Sequence, residues 1–351
     1  MEFASDNTSG AAPQVLAAVA AANAGYAPSY GTDPAMARVT DLVREIFEAP
    51  EAAVYLVTTG TVANALSAAL LCPQWGAIYC HGEAHVEVDE CGAPEFYIGG
   101  GKTAPVGGAH GKITADTLRA RMALTPQGGV HHIQHGMLTL TNLTEAGTLY
   151  RPGEVASLAA IARAEGMKVH MDGARFANAL AGSGAAPADL TWRAGVDVLS
   201  LGGTKNGCFG VEAVVIFDPA KAWEFELRRK RAGHLMSKHR FLSAQMEAYL
   251  ADGLWLRLAA QANRMADRLA QGLAALPGGS LVHPREGNIV FACFPRALHR
   301  RATEAGGHYY LWPFDQSLDG ADEELLSARF VCSWSTIEAD VDALLAVLRD
   351  A

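Results

Sequence analysis

The order of hydrophobic and polar positions predicts an alternation of helices and strands over the first two thirds of the chain. The predicted helices are residues 38–48, 62–71 and 152–165, and the predicted strands are 53–57, 77–80, 131–141, 168–171, 196–201 and 213–217. Such alternation is typical of an α/β fold, in which a mostly parallel sheet lies between helices. Ligands of such sheets bind at the carboxyl ends of the strands.

After Pro219 the pattern changes. A basic cluster at residues 228–240 precedes a stretch, 242–276, in which leucines recur at helical spacing and predict one long amphipathic helix. Strands at 288–294 and 329–334 and a helix at 340–348 then predict a small α+β domain. We therefore expect three regions. These are an N-terminal segment (residues 1–27), a large domain (residues 28–240), and a linking helix with a small C-terminal domain (residues 241–351).

Composition and charge narrow the class of protein. The chain has 351 residues, half of them apolar, which is too long for one hydrophobic core. The 28 basic and 37 acidic residues give a net charge of -9, which argues against a nucleic-acid partner. The polar start and the absence of an 18-residue apolar run argue against a secretory signal and a membrane-spanning helix. The six cysteines form no C-x-x-C pair, so we expect a cytoplasmic protein.

Two predicted strand ends carry the clearest chemistry. Asp172 ends one strand, and Lys205 follows the next one between Gly203 and Gly207. A lysine amine that forms a covalent bond and a carboxylate that keeps a pyridine nitrogen protonated are what pyridoxal 5'-phosphate (PLP) requires. Either residue alone is more often a helix cap or a solvated charge. The pair is much rarer, and glycines beside it let the backbone pass close to a bulky ring.

A third segment, residues 58–64, follows a predicted strand and opens a helix. Its Thr59, Gly60 and Thr61 place hydroxyl and backbone N–H groups at a helix N-terminus, which suits a phosphate. An ordinary threonine cap is the alternative interpretation of this segment.

Two other motifs do not fit the functions that they resemble. Lys102 lies in a Gly-Lys-Thr sequence like the end of a P-loop, but Phe96 occupies the position of the first glycine. His131 and His135 have the spacing of zinc ligands on a helix, yet they lie in a predicted strand without the accompanying glutamate. We therefore expect no metal site, and a nucleotide-binding module is only a remote alternative.

Together these motifs resemble the threonine aldolase family of fold-type I PLP enzymes. The resemblance covers nearly the whole chain and rests on Ser5-Asp6-Asn7, residues 30–34, 59–61, His85, 170–175, Lys205 and Arg329. The fragment 85–95 and the Gly-Gly-Thr-Lys-Asn-Gly segment are similar to a branch that includes phenylserine aldolases and low-specificity L-threonine aldolases. The resemblance implies an aminotransferase-like large domain that binds PLP.

The resemblance also implies the roles of the cofactor-binding residues. Lys205 binds PLP covalently, Asp172 pairs with the pyridine nitrogen, and His85 stacks on the ring; these three are the expected catalytic residues. Thr59, Gly60 and Thr61 hold the phosphate. Without the family context, a structural imidazole would be the ordinary interpretation of His85.

For substrate binding, the resemblance implies four residues: Ser5, Tyr30, Arg175 and Arg329. Arg175 lies near the ring hydroxyl or the substrate carboxylate, and Arg329 captures the carboxylate, with a buried salt bridge as the alternative. Tyr30 and one of the basic residues Lys230, Lys238 and Arg240 reach a neighbouring subunit's site. The family forms dimers that pair into tetramers.

One position departs from the family pattern. Where many relatives have Asn-Thr-His, this chain has Asn142-Leu143-Thr144, so Thr144 replaces the histidine proposed as a base. The base would then be His85, an ordered water, or one of His131, His132 and His135. The expected activity is retro-aldol cleavage of L-β-hydroxy-α-amino acids of the threonine, allo-threonine or phenylserine type to glycine and an aldehyde, a lyase reaction of amino-acid metabolism. A β-eliminating lyase or an aminotransferase of the same fold is the alternative.

Overall fold

The computed structural model describes residues 1–349; residues 350 and 351, the end of the expected C-terminal region, lie outside the described part. The helices are α1 (Pro13–Ala22), α2 (Pro34–Ile46), α3 (Gly60–Leu71), α4 (His85–Val88), α5 (Ala93–Ile98), α6 (Ala115–Ala123), α7 (Pro152–Ala164), α8 (Phe176–Ser183), α9 (Pro187–Leu190), α10 (Ala222–Arg231), α11 (Arg240–Leu250), α12 (Leu254–Ala274), α13 (Arg296–Glu304) and α14 (Glu338–Arg349). The strands are β1 (Ala53–Val57), β2 (Gly76–His81), β3 (Lys102–Val106), β4 (Gln134–Thr141), β5 (Lys168–Gly173), β6 (Val198–Gly202), β7 (Glu212–Ile216), β8 (Ser280–Leu281), β9 (Ile289–Pro295), β10 (Tyr310–Leu311) and β11 (Leu325–Val331).

The large sheet has seven strands in the order β1-β7-β6-β5-β4-β2-β3. Only β7 runs against its neighbours, so the sheet is mostly parallel. Strands β2, β6 and β7 are buried along their whole length, as expected when helices cover both faces of a sheet. The predicted α/β fold is therefore confirmed.

The register of three central strands sets the position of the functional residues. Asp172 of β5 pairs with Thr141 of β4 on one side and with Ser200 of β6 on the other. Parallel strands end at the same edge of a sheet, so the segments that follow β4, β5 and β6 meet there.

The second sheet has four antiparallel strands in the order β10-β11-β9-β8. It packs with α12, α13 and α14 around a separate core that includes Phe294 and Phe330. The N-terminus joins this core, because the Phe3 side chain is fully buried in it and the Phe3 backbone bonds to His308 and Val331. The first residues of the chain are thereby held beside the small sheet.

The prediction of one helix over residues 242–276 is wrong. The structure has two helices, α11 and α12, separated at Asp252 and Gly253, which both have left-handed backbone conformations with φ of 52° and 67°. Such a conformation ends a helix, while the apolar spacing continues across the break and gives no sign of it. The strand predicted at 329–334 also differs, since β11 spans Leu325–Val331.

The structure also bears on the P-loop-like motif and on membrane-spanning helices. Lys102 begins the edge strand β3 rather than a helix, so the Gly-Lys-Thr sequence is not a P-loop. Within residues 1–349, no helix combines the length and the apolar character needed to cross a bilayer.

A substitution at the end of β6 tests how tightly the backbone packs at the sheet edge. A methyl group added at Gly202 would overlap the carbonyl oxygen of Ala174 in the neighbouring turn. Because neither backbone segment can move freely, we expect Gly202→Ala to lower the free energy of unfolding by about 1–3 kcal/mol. Gly210→Ala is the matched control, since a methyl group there meets no atom within 4 Å. Denaturant unfolding measures both, and equal stability of the two variants would contradict this packing.

Candidate active site

A cavity of about 260 Å³ lies at the carboxyl edge of the large sheet. The residues that line it include Thr59, Gly60, Thr61, His85, Glu145, Asp172, Arg175, Lys205 and Glu212. A larger cavity of about 800 Å³ lies elsewhere, against the apolar side chains of Trp75, Phe96 and Leu227. The walls of this larger cavity contain no lysine, whereas the smaller cavity combines a lysine with buried carboxyl groups.

Lys205 lies in a short 3₁₀ turn that follows β6. The turn is fixed because the Asn206 side chain donates hydrogen bonds to Tyr249 Oη at 2.9 Å and to the Trp255 carbonyl at 2.8 Å. Within residues 1–349 the Lys205 amine has no hydrogen-bond partner, and the positive charge of Arg175 together with burial lowers its pKa. A larger neutral fraction makes this amine a better nucleophile toward an aldehyde.

Asp172 is buried, and both of its carboxylate oxygens are bonded. One accepts from the backbone N–H of Ala174 at 2.9 Å and the other from Asn64 Nδ2 at 2.9 Å. Asn64 Nδ2 also donates to Glu90 Oε1 at 2.8 Å, and that oxygen lies 2.8 Å from His85 Nδ1. A chain of hydrogen bonds therefore connects Asp172 to His85, and the roles of Asn64 and Glu90 in it were missed from the sequence.

His85 is held by two carboxyl groups. Besides the contact of its ring with Glu90, its backbone N–H donates to Glu145 Oε1 at 2.8 Å. The hydrogen bond with Glu90 raises the pKa of His85, and the negative charge of Asp172 adds to this effect against the opposing effect of burial. The ring is thus oriented at the cavity and is more often protonated at neutral pH than a free imidazole.

The N-terminus of α3 forms another wall of the cavity. Thr59 is its N-cap, and the Thr59 hydroxyl accepts from the Val62 N–H at 3.3 Å. The first N–H groups of a helix have no acceptor within the helix, and here they belong to Gly60 and Thr61. Thr59 can therefore cap the helix while the same segment binds an anion, because the capping bond leaves the N–H groups of Gly60 and Thr61 available to a phosphate.

Arg175 forms a two-pronged ion pair that was missed from the sequence. Its Nε and Nη2 donate to Asp6 at 2.6 and 2.9 Å, and Asn288 Nδ2 donates to Asp6 at 3.0 Å. Burial opposes the ionisation of Asp6, but Arg175 outweighs it and the pKa of Asp6 is lowered. The only available signal was the occurrence of Asp6 in the Ser5-Asp6-Asn7 motif.

Arg329 has an unusual environment for a charged residue. Its guanidinium lies 5.2 Å from the ring centroid of Trp312 and 5.5 Å from that of Tyr310, and Nη2 donates to the Ala4 carbonyl at 3.2 Å. Within the described residues Arg329 has no ion pair, and its buried Nε has no hydrogen-bond partner. The alternative of an internal salt bridge is therefore not observed.

Of the expected substrate residues, Arg175 lines this cavity, whereas Arg329, Ser5 and Tyr30 lie outside its walls. The Ser5 hydroxyl accepts from the Asn7 N–H at 3.1 Å, directly beside Asp6. Tyr30 is about half exposed, with Lys230 Nζ 5.1 Å from its ring centroid. Arg240 Nη1 donates to the Gly25 carbonyl at 3.0 Å.

The hypothesis that His131, His132 or His135 supplies the base is wrong. His131 and His132 are exposed, and His135 packs on Tyr79 and Glu165 in a different part of the molecule. None of the three lines the cavity.

The segment after β4 shows what replaces the family histidine at the cavity. The Thr144 hydroxyl is buried and bonds to Thr148 Oγ1 at 2.8 Å, so Thr144 does not line the cavity. Glu145, the next residue, lines the cavity, and burial raises the pKa of its carboxyl group to about 7. No pattern in the sequence indicates that Glu145 rather than Thr144 turns toward the site.

The set of groups around this cavity fits PLP. A buried amine without a partner can bond to the aldehyde, and a fixed carboxylate can face the pyridine nitrogen. The N-terminus of α3 can hold the phosphate, and the oriented imidazole of His85 can cover the ring. These are the residues that would bind the cofactor.

Comparisons with known proteins agree with this chemistry. The family model described as β-eliminating lyase matches residues 2–295. The chain is 42% identical to the low specificity L-threonine aldolases of Pseudomonas sp. (strain NCIMB 10558) and of Pseudomonas aeruginosa, and each alignment covers 99% of this chain and at least 96% of the relative. A solved threonine aldolase from Leishmania major is similar with a TM-score of 0.90 at 26% identity, covering 99% of this chain and 98% of that one.

The Asp6–Arg175 pair generates a prediction. We expect Asp6→Asn to destabilise the protein by about 3–5 kcal/mol, because it removes the buried carboxylate that pairs with the largely buried Arg175. Asp342→Asn is the control, because it breaks an equally two-pronged pair with Arg268 that is exposed to solvent, and we expect little measurable change. Denaturant unfolding compares the two variants, and similar losses in both would refute the importance of the buried pair.

Proposed function

The chain belongs to the threonine aldolases of the β-eliminating lyase family, and from this membership we propose that it is a PLP-dependent aldehyde-lyase. It cleaves L-β-hydroxy-α-amino acids to glycine and an aldehyde. The observation that carries the proposal is one cavity lined by both Lys205 and Asp172. When bound, PLP supplies an electron sink for the electron pair of a bond to the substrate Cα.

Lys205 and Asp172 have complementary roles in this proposal. The lowered pKa of Lys205 leaves its amine able to attack the cofactor aldehyde and, later, to exchange a proton at the substrate Cα. Asp172, fixed by Asn64 and Ala174, keeps the pyridine nitrogen protonated and so keeps the ring electron-poor. His85 covers the ring, in an orientation set by Glu90.

Substrate binding is proposed for Arg329, Arg175 and Ser5. Support comes from the buried, unpartnered Nε of Arg329, since a partly buried guanidinium without a carboxylate favours capture of the substrate carboxylate. The stacking of Arg329 on Trp312 and Tyr310 holds the guanidinium in place before substrate arrives. When Arg329 binds the substrate carboxylate, the substrate is held in one orientation, and its Cα–Cβ bond is thereby oriented for cleavage.

We also propose that the protein associates into dimers or tetramers in the cytoplasm. Tyr30 and one of Lys230, Lys238 and Arg240 would then contribute to a neighbouring subunit's site. In support, these residues lie outside the walls of the cavity in their own chain. The cytoplasm is supported by the six cysteines, all of which are unpaired.

The proposed reaction predicts the products formed from three substrates. Threonine and phenylserine give glycine and an aldehyde, whereas β-elimination would give a keto acid and ammonia and transamination would consume a keto acid. Chromatography of the products from threonine, phenylserine and serine distinguishes these reactions. Lys205→Ala is the control, and we expect it to lose both the yellow absorbance of the bound cofactor and turnover. Keto acid without glycine in the wild-type reaction would overturn the proposal.

A second prediction concerns Asp172. We expect Asp172→Asn to retain PLP, because Lys205 and the N-terminus of α3 remain, but to lower kcat by about 10²-fold or more as the pyridine nitrogen loses its charged partner. Asp116→Asn, at an almost fully exposed carboxyl group, is the control. Steady-state kinetics with an absorbance spectrum of each variant measure the effect, and near-normal kcat in Asp172→Asn would show that the ring is not tuned by this carboxylate.

A further inference from the structure

Glu145 is a buried carboxyl group at the cavity that the roles described above do not use. It lies in the loop after β4 and lines the cavity. Its Oε1 accepts the backbone N–H of His85 at 2.8 Å, while its Oε2 is buried and has no hydrogen-bond partner within residues 1–349. An unpaired buried carboxyl oxygen costs stability, so its position beside the reaction site calls for a functional explanation.

The other carboxyl groups and the histidine of the cavity wall already have hydrogen-bond partners. Both oxygens of Asp172 are bonded, and Glu212 both accepts the Gly203 N–H at 2.9 Å and forms a hydrogen bond with the Thr204 side chain, so it supports the turn of Lys205. His85 Nδ1 contacts Glu90, and this hydrogen bond raises the pKa of the ring, which favours its protonated form. Within the described part of the cavity wall, Glu145 is therefore the carboxyl group with a buried oxygen that lacks a hydrogen-bond partner.

The charges around Glu145 set the pH range in which it can act. Burial is the main cause that raises its pKa to about 7, and the negative charge of Asp172 adds to this, while the contacts with His85 oppose it. The titratable groups that face Glu145 are Cys80, His85, Tyr150, Asp172 and Arg175. A base whose pKa lies near neutral pH is both ionised often enough and basic enough to take a proton.

We propose that Glu145 is the catalytic base that removes the β-hydroxyl proton of the substrate, an inference that rests on the proposed function. The ionised Oε2 takes the O–H proton, and the O–H electron pair becomes the second bond of the aldehyde carbonyl. The Cα–Cβ bond breaks, and its electron pair passes to the bound cofactor. Cα then receives one proton from the protonated Lys205 amine, and the proton held by Glu145 passes through solvent to restore the one that Lys205 gave up, so that no net proton is gained or lost.

Glu145→Gln tests this role because glutamine keeps an oxygen that can accept from the His85 N–H. We expect kcat for retro-aldol cleavage to fall by about 10²- to 10⁴-fold. The wild-type kcat should decrease as the pH falls through about 7, where Glu145 becomes protonated, and the variant should lose this dependence. Glu83→Gln is the matched control, since that carboxyl group is exposed and lies outside the cavity wall.

Two measurements on the loaded protein separate a catalytic role from a structural one. Absorbance of the bound cofactor, affinity for glycine and exchange of the glycine α-hydrogen with solvent should stay within a few-fold of wild type in Glu145→Gln, because none of them involves a β-hydroxyl group. Infrared difference spectra should show a protonated-carboxyl band that grows as the pH falls through about 7 and is weaker in the variant than in wild type, because Glu145 contributes to it only in wild type whereas Glu212, whose pKa burial also raises to about 7, contributes in both.

The outcomes that overturn the inference differ from those that overturn the function. If Glu145→Gln cleaves threonine at nearly the wild-type rate, Glu145 is not the base although the enzyme remains an aldolase. If the variant loses cofactor absorbance or glycine exchange together with cleavage, Glu145 only supports the site. If wild-type protein binds PLP but releases no glycine from any β-hydroxy amino acid, both the function and the inference fail.

Discussion

The parallel pairing of β4, β5 and β6 is the constraint on which the site depends. Because Asp172 is in register with Thr141 on one side and Ser200 on the other, the segments after these strands leave the sheet at one edge. Glu145, Asp172 and Lys205 therefore meet although they are far apart in the chain. The close approach of Gly202 to Ala174 lets β6 and the turn after β5 lie tightly together at this edge.

The site carries an electrostatic cost that the fold offsets by hydrogen bonds. Asp172 and Glu90 share the Asn64 amide, and Asp6 neutralises Arg175 within a buried pair. Several polar groups at the site have no hydrogen-bond partner within residues 1–349, among them the Lys205 amine, Oε2 of Glu145 and Nε of Arg329. Buried polar groups of this kind are costly in a protein and are typical of a site that awaits a charged ligand.

Local patterns explain which parts could be predicted from the sequence. Alternating helices and strands indicated the α/β fold, and the glycine-flanked lysine and the strand-end aspartate indicated PLP chemistry. The break at Asp252 was not predictable, because the apolar spacing continues through it. The Asp6–Arg175 pair joins residues 169 positions apart, and the choice of Glu145 over Thr144 depends on which way one loop turns. Contacts of this kind follow from tertiary packing and leave no periodic signal.

A crystal structure of the protein with PLP tests most directly whether Lys205 and Asp172 bind one cofactor. We expect continuous electron density between Lys205 Nζ and the cofactor ring, with the pyridine nitrogen about 3 Å from Asp172 and the phosphate at the N-terminus of α3. A cofactor bound without contact to Asp172, or one attached to a different lysine, would contradict it.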